Sequence, residues 1–378
     1  MTQRTIYLDH NATTPLRPEA RAAMVEALSV VGNPSSVHGF GRAARKVVED
    51  AREQVAALAG ASPAAVVFTG GGTEANALAL NGCGRLRAVV SSVEHASVLQ
   101  ARADVELVPV DGHGIVDLGA LHEILAAGKE PAVVSVMLAN NETGAIEPVA
   151  KVAEVAARHG AIVHCDAVQA AGKIPLDLGG LGVQLLSLSA HKLGGPAGCG
   201  ALVASGVQLE PLLRGGGQER RRRAGTENIV GIAGFGAAAE AVGDAAAIEA
   251  SAARLGAMRA RLEAAMTAVS PTARIVGSGV DRLANTTCVL TPGVAAETLV
   301  MALDLAGAAV SAGSACSSGK VAASHVLKAM GLGEHLAGQA VRVSTGWSTT
   351  DTDIDAFIAI WSAVAERLGF APAASVAA

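Results

Sequence analysis

Three places in this 378-residue chain set chemistry-bearing side chains at the ends of apolar runs, two of them beside glycines. In Phe68-Thr-Gly-Gly-Gly-Thr-Glu-Ala-Asn76 a strand-like run meets three glycines and then a helix-like segment. Uncovered N–H groups at such a helix start, with the Thr73 hydroxyl, suit a phosphate. No Lys-Ser/Thr follows the glycines, so this is not a Walker loop, and a tight strand-to-helix turn without a ligand fits the same residues. In His164-Cys-Asp-Ala-Val-Gln169 an aspartate stands at the carboxyl end of an apolar strand, where open α/β sheets place their ligands. There it calls for a cationic partner, although capping the next helix is a plainer use. In Ser187-Leu-Ser-Ala-His-Lys192-Leu-Gly-Gly-Pro-Ala-Gly198 one lysine sits between an apolar strand and a glycine-rich turn. Partial burial would lower its pKa toward amine chemistry, whereas a surface lysine at a strand end would read alike. Anion cradle, strand-end carboxylate and lone lysine are together the three contacts of pyridoxal 5′-phosphate: phosphate site, partner for the ring nitrogen and Schiff base.

The five cysteines, Cys83, Cys165, Cys199, Cys288 and Cys316, are odd in number, far apart and without a C-x-x-C pair. That argues against a disulfide framework or a zinc knuckle, so no metal is expected and any cysteine that matters acts alone. Cys165 and Cys288 lie in strand patterns, but Cys316 lies in Ser311-Ala-Gly-Ser-Ala-Cys-Ser-Ser-Gly319, small, polar and hinged by glycines, as a mobile nucleophile requires.

Short β-branched runs at 66–69, 88–92, 132–138, 161–165 and 185–189 alternate with amphipathic segments, the pattern of βα units around a largely parallel sheet. Residues 42–59 and 147–160 have helical periodicity, the second with Pro148 in its first turn and Gly160 as its stop. An Ala-rich helical stretch from about 235 to 261 leads to shorter strands at 274–277, 286–290 and 341–344 and helices at 295–306 and 352–367, which suggests a smaller α+β domain.

Apolar residues at 51%, charged ones at 17% and aromatics at 2% describe a packed chain with an aliphatic core, and the length suits two to three domains at roughly 150 residues each. No apolar run approaches a membrane span, and the start lacks a secretory pattern, so a cytoplasmic, membrane-free protein is expected. Twenty-nine Lys and Arg against 34 Asp and Glu leave a net charge of −5, which gives no general attraction to nucleic acid. The one basic run, Arg220 to Arg223, has no interleaved aromatics and makes a poor binding stripe.

The whole chain resembles the cysteine desulfurases of the nitrogen-fixation and iron–sulfur-cluster type, class V aminotransferase-like enzymes. The motifs run in order through Tyr7-Leu-Asp-His-Asn-Ala-Thr-Thr-Pro15, Asn33-Pro-Ser-Ser-Val-His38, Gly71-Gly-Thr-Glu74, Glu94-His95, Asn140-Asn-Glu-Thr-Gly144, Asp166-Ala-Val-Gln169, Ser189-Ala-His-Lys192, Gly215-Gly-Gly-Gln-Glu-Arg220, Arg223-Ala-Gly-Thr-Glu-Asn228, Gly313-Ser-Ala-Cys-Ser-Ser318 and Arg342-Val-Ser. The segment around Cys316 looks like the long-loop branch rather than the short-loop one with Arg-x-Gly-His-x-Cys.

The resemblance implies a fold-type I pyridoxal-phosphate enzyme: a large domain over residues 15–260 with a mostly parallel seven-stranded sheet, and a small α+β domain from 1–14 and 261–378. It implies a homodimer that converts L-cysteine to L-alanine and leaves the sulfur as a persulfide on Cys316, for an acceptor protein such as a cluster scaffold or sulfur relay. Lys192 would hold the cofactor, Asp166 would keep its ring nitrogen protonated, and Gln169 would bond its 3-hydroxyl oxygen. His95 would stack on the ring and shuttle a proton. Gly72, Thr73, Ser189 and His191 would bind the phosphate, joined by Thr226 of a second subunit. Asn141 and Arg342 would hold the substrate carboxylate, Arg342 through a two-pronged fork that lysine cannot form. Arg220 and Arg223 would lie in an interface loop, with Arg221 and Arg222 unassigned. His10 and Asn76-Ala77 depart from the family pattern, and neither is expected to touch the chemistry. The rival readings are a selenocysteine or cystine lyase of the same fold, a kynurenine hydrolase, which needs no Cys316, and a non-catalytic sulfur-carrier subunit, against which the intact Lys192, Asp166, His95 and Cys316 argue.

Overall fold

The computed structural model describes residues 5–313 and 323–371. Its strands, in chain order, are β1 (Ile6–Tyr7), β2 (Val66–Thr69), β3 (Arg87–Ser91), β4 (Val105–Val108), β5 (Ala132–Ser135), β6 (Ile162–Asp166), β7 (Leu185–Ser189), β8 (Gly200–Ala204), β9 (Arg274–Ile275), β10 (Thr286–Leu290), β11 (Ala308–Ala309), β12 (Ser311–Ala312) and β13 (Ala340–Ser344). Seven of them form the central sheet in the order β2-β8-β7-β6-β5-β3-β4, parallel except for β8, which runs against both neighbours. Val66-Val-Phe-Thr69 and Ala132-Val-Val-Ser135 are buried at every position, as expected of strands covered on both faces. Because β2, β3, β5, β6 and β7 share one direction, their carboxyl ends lie along one edge of the sheet. Thr69, Ser91, Ser135, Asp166 and Ser189 end those strands, so the segments that follow each start at that edge.

The sequence expectations hold with local shifts. The 42–59 helix starts earlier, at Gly39–Leu58, because the His38 ring accepts the Gly41 N–H at 3.2 Å and caps it. The second helix is Val149–Arg158, so Pro148 stands just before it. The 132–138 run leaves the regular ladder at Ser135, although Val136 and Leu138 N–H groups still reach His164 and Asp166 carbonyls of β6 as the chain turns toward Asn141. The Ala-rich stretch is two helices, Ile229–Val242 and Ala245–Val269, broken at Gly243 (φ 84°) and restarted by Asp244, which caps the Ala247 N–H. These two meet at 77°, and no single helix among the described residues is long and apolar enough to cross a membrane.

A four-stranded antiparallel sheet, β12-β13-β10-β9, and the parallel pair β1-β11 complete the fold. Leu8, Leu262, Met266, Phe357 and Trp361 pack beneath them, so the scarce aromatics concentrate here while the main core is mostly aliphatic. Asp9 bridges to Ser344, tying the chain's first strand to β13.

The basic run is anchored internally. Glu219, Arg220 and Arg221 have φ of 46°, 56° and 65°, a left-handed stretch that costs non-glycine residues energy. It is held by the buried Glu219 carboxylate, which accepts from Arg52 at 2.8 and 2.9 Å and from the Phe68 N–H at 3.0 Å. Arg222 donates to the Val66 carbonyl and Arg223 to Glu74, so Arg222, without a role on sequence grounds, is a loop anchor. Arg52→Met leaves Glu219 buried without its partner and is expected to cost about 3–5 kcal/mol, read as a lowered denaturation midpoint. Adding Glu219→Leu should recover part of that loss; a single variant as stable as the wild type would remove the pair from the loop's support.

Candidate active site

Lys192 ends a single 3-10 turn, Ala190–Lys192, that continues β7. Its amine donates to the carbonyls of Asn11 and Ala12, the latter at 2.7 Å. Burial, and then the Arg342 guanidinium, bring its pKa from the usual 10.5 down to about 8. Asp166, at the end of β6, is 6% exposed. One carboxylate oxygen accepts the Val168 N–H at 2.9 Å and the other the Asn76 amide at 2.7 Å. The chain beyond Asp166 makes turns rather than a helix, so the aspartate is not a helix cap. Among the described residues no basic side chain makes an ion pair with Asp166, and the cationic partner its position calls for is left to a ligand.

Asn76 overturns one expectation, because this departure from the family pattern does reach the site. Its amide bonds both Asp166 and, at 2.9 Å, the Ser97 hydroxyl, and that hydroxyl lies 2.8 Å from Nδ1 of His95. Nδ1 also accepts the Ser97 N–H at 3.1 Å, which fixes a neutral His95 with its proton on Nε2. Burial lowers the His95 pKa in the same direction. His10, the other departure, is buried between Thr14 and Thr349, held neutral with a pKa of about 4, and takes no part in the cavity wall.

The anion cradle is the start of the Gly72–Gly82 helix. Its N-cap, Gly71, has φ 150° and no side chain to satisfy the first-turn N–H groups. A Cβ on Gly72 would stand 3.0 Å from Val168 and 3.5 Å from Ser189, so a side chain there would fill the space the cradle needs. Thr73, Ser189 and His191 complete this end, and burial together with Lys192 lowers the His191 pKa to about 4. Thr226 is exposed on this chain and does not line the cavity.

At the opposite end Arg342 projects from β13, 6% exposed. It donates to Asp9 at 2.7 Å and to the Asn141 carbonyl at 3.1 Å, while its Nε has no partner among the described residues. The other Asp9 oxygen accepts the Ser311 hydroxyl at 2.7 Å. Lys192, Asp166, Asn76, His95, Arg342 and the cradle residues Gly72, Thr73, Ser189 and His191 share one cavity of about 600 Å³, together with Gln169 and Asn141.

That cavity also holds side chains that sequence reasoning missed. Asn11 bonds Thr286, Asn285 and Lys173 and gives its carbonyl to Gln169 and Lys192. Glu142, 2% exposed, accepts the Ser324 hydroxyl at 2.6 Å, and burial pushes its carboxyl up to about 7. His325 bonds the Glu94 carbonyl through Nε2 at 2.9 Å. Asn11 and Glu142 lie inside quoted motifs, so position in a motif was the available signal; His325 had none. Cys316 lies outside the described residues. The other four thiols are buried, and burial raises every one of their pKa values, Cys199 and Cys288 to about 12, so none is a ready thiolate.

The class-V aminotransferase family model matches residues 6–357. The chain is 45% identical to a cysteine desulfurase of Cereibacter sphaeroides, covering 96% of each protein, and 39% identical to an IscS-like cysteine desulfurase of Mycobacterium tuberculosis over 94% of each. Among solved structures, a NifS-like protein from Rickettsia africae superposes with a TM-score of 0.88 at 33% identity, covering 96% of this chain and all of that one. The structure titled SspA in complex with cysteine superposes with a TM-score of 0.77 at 29% identity, covering 90% and 98%.

Proposed function

The chain belongs to the class-V aminotransferases and, within them, to the cysteine desulfurases, and from that premise we propose that it binds pyridoxal 5′-phosphate, converts L-cysteine to L-alanine and leaves the sulfur on Cys316 for an acceptor protein. The observation that carries the reading is the Asp166 carboxylate, with no ion-pair partner among the described residues, in one cavity with Lys192, the uncapped helix start at Gly72 and the Arg342 fork. Those donors fit the cofactor: a carboxylate for its pyridinium nitrogen, an amine of lowered pKa for its aldehyde, and free N–H groups and hydroxyls for its phosphate. When bound, the cofactor supplies an electron sink for the charge left as a proton leaves the substrate Cα.

Everything else falls to the chain's own groups. Arg342, already oriented by Asp9 and Asn141, takes the substrate carboxylate, and its Nε, unpartnered among the described residues, is a donor in reserve for it. Lys192, whose pKa of about 8 leaves part of its population as the neutral amine, moves the proton at Cα. His95, neutral with its proton on Nε2, faces the same cavity as a ring to stack on and a proton donor. Cys316 Sγ, as a thiolate, forms a new S–S bond to the substrate sulfur while the Cβ–Sγ bond breaks, and alanine leaves after Cβ is protonated.

The test is direct. Purified protein given pyridoxal phosphate should turn yellow, lose the colour to a carbonyl reagent, and release alanine and persulfide sulfur in equal amounts from cysteine. A colourless protein, or alanine without persulfide, would sink the reading. Arg342→Lys, which keeps charge but loses the fork, is expected to raise KM for cysteine about 10–100-fold with cofactor binding intact; an unchanged KM would move the carboxylate elsewhere.

A homodimer belongs to the proposal. Thr226, exposed on this chain, and the arginine loop, whose Arg223 pairs with Glu74 on the cradle's helix, would complete the phosphate site of a second copy. The exposed apolar side chains Leu28, Val31, Val37 and Phe40 support such a contact. Dilution should then release cofactor as monomers form, followed by ultracentrifugation with absorbance detection. A monomer with full cofactor occupancy would remove Thr226 from the site.

A further inference from the structure

We propose that Lys173 is a positioning residue: from behind the cavity it holds the Gln169 amide with its NH2 end turned toward the site, so that Gln169 donates a hydrogen bond to the cofactor's ring oxygen. This rests on the cofactor reading above and adds a residue that neither the motifs nor the cavity wall contain.

Lys173 Nζ lies 2.8 Å from Gln169 Oε1 and 3.1 Å from Asn11 Oδ1, while Gln169 Nε2 donates to the Asn11 carbonyl at 2.9 Å. An amide has one accepting and one donating end, and Lys173 Nζ donates to two side-chain oxygens, Gln169 Oε1 and Asn11 Oδ1. Flipping Gln169 would take its oxygen away from the Lys173 N–H and set it against the Asn11 carbonyl oxygen, a bond lost at one end and a repulsion at the other. The orientation is therefore fixed from both sides. Gln169 Nε2 and Lys192 Nζ donate to one atom, the Asn11 carbonyl oxygen, so the two donors converge. Pyridoxal phosphate carries its ring oxygen on the carbon next to the one bearing the aldehyde. A cofactor held through its aldehyde at Lys192 would have that oxygen on the Gln169 side, where the amide N–H would favour its anion.

Lys173 is an expensive residue to keep for packing alone. Among the described residues no carboxylate pairs with it; the charges acting on it are those of Lys192 and Arg342, and His10 is neutral. Burial and those two cations hold its pKa well below the usual lysine value. Asn11, its second acceptor, is itself fixed by Asn285 and Thr286 of the small sheet, so the anchor is rigid. A purely structural role would be served as well by methionine, which brings no desolvation cost.

The test is a pH titration of the bound cofactor's colour, without substrate, in wild type, Lys173→Met, Lys173→Arg, Gln169→Met and the double Lys173→Met/Gln169→Met. Losing a donor to the anionic ring oxygen favours the protonated form, so Lys173→Met should move the midpoint of the colour change up by about one pH unit. Lys173→Arg should return it most of the way, and the double variant should move no further than Gln169→Met, because Lys173 acts through Gln169. An unshifted midpoint in coloured Lys173→Met, or a double variant whose shift is the sum of the two, overturns the proposal. Should Lys173→Met not fold, Lys173→Gln, shorter and uncharged, is expected to shift the same way, and an unshifted midpoint there overturns it equally. A wild type that takes up no colour would instead fail the cofactor reading, so the two failures are distinguishable.

Discussion

Lys192→Ala is expected to release no measurable alanine, a loss of at least about 10⁴-fold, while still taking up pyridoxal phosphate. The cradle at Gly72, the Asp166 carboxylate and Gln169 do not depend on the lysine, so noncovalent binding survives. What disappears is the amine that attaches to the cofactor and moves the proton at Cα. Borohydride reduction should therefore fix the cofactor to Lys192 in wild type and leave the variant unlabelled by mass spectrometry. The amine's environment adds a pH expectation. A lysine of pKa 10.5 is almost wholly protonated at pH 7, but one brought down to about 8 is neutral in about a tenth of molecules, a gain of about two orders of magnitude. Because only the neutral amine attacks an aldehyde, cofactor capture by the apoprotein should speed up as pH rises through about 8 and level off above it. Alanine production near the wild-type rate in Lys192→Ala would end the assignment.

Cys316→Ser is expected to divide the reaction in two. Cofactor binding and the spectral response to cysteine remain, but persulfide formation stops and alanine release falls by about 10³-fold or more, since a hydroxyl is a poor nucleophile toward sulfur and a poor carrier of it. The same change at Cys83, Cys165, Cys199 or Cys288 should leave turnover largely intact, because those thiols are buried and their pKa values are raised. Labelled substrate sulfur found on any of those four would reassign the nucleophile.

The residues legible from sequence were those whose type is unusual for their place. Asp166 ends an apolar strand and Lys192 the short turn that follows another, Gly71 and Gly72 open a helix without a capping side chain, and each shows in a single stretch of chain. Five strands of the central sheet were legible because strands buried on both faces leave continuous apolar runs; β4 and β8 were not read, and the count of seven came with the family resemblance. Asn76 was misjudged because its meaning comes from distance in space; it sits on a helix whose face toward Asp166, 90 residues further on, is set by sheet order. Asn11 and Asp9 were read as motif letters, but their work depends on β1 and the bridge to Ser344 carrying them against Arg342 and Lys173. Arg222 was left without a role because a left-handed turn of three non-glycine residues leaves no mark in composition.

The parallel pairing of β1 with β11, and the bridge from Asp9 to Ser344, have a consequence for biosynthesis. The strands of the central sheet lie within residues 66–204, so that sheet can close while the ribosome is still reading the rest. Ile6 and Tyr7 must wait for Ala308 and Ala309, and Arg342 meets Asp9 only after β13 has emerged from the exit tunnel. Until then the nascent chain holds its strand-end lysine and aspartate without the arginine fork. A polypeptide stalled before residue 340 should therefore be inert toward cysteine whatever it binds, and reactive sulfur is made only by molecules whose translation has run to the last strand.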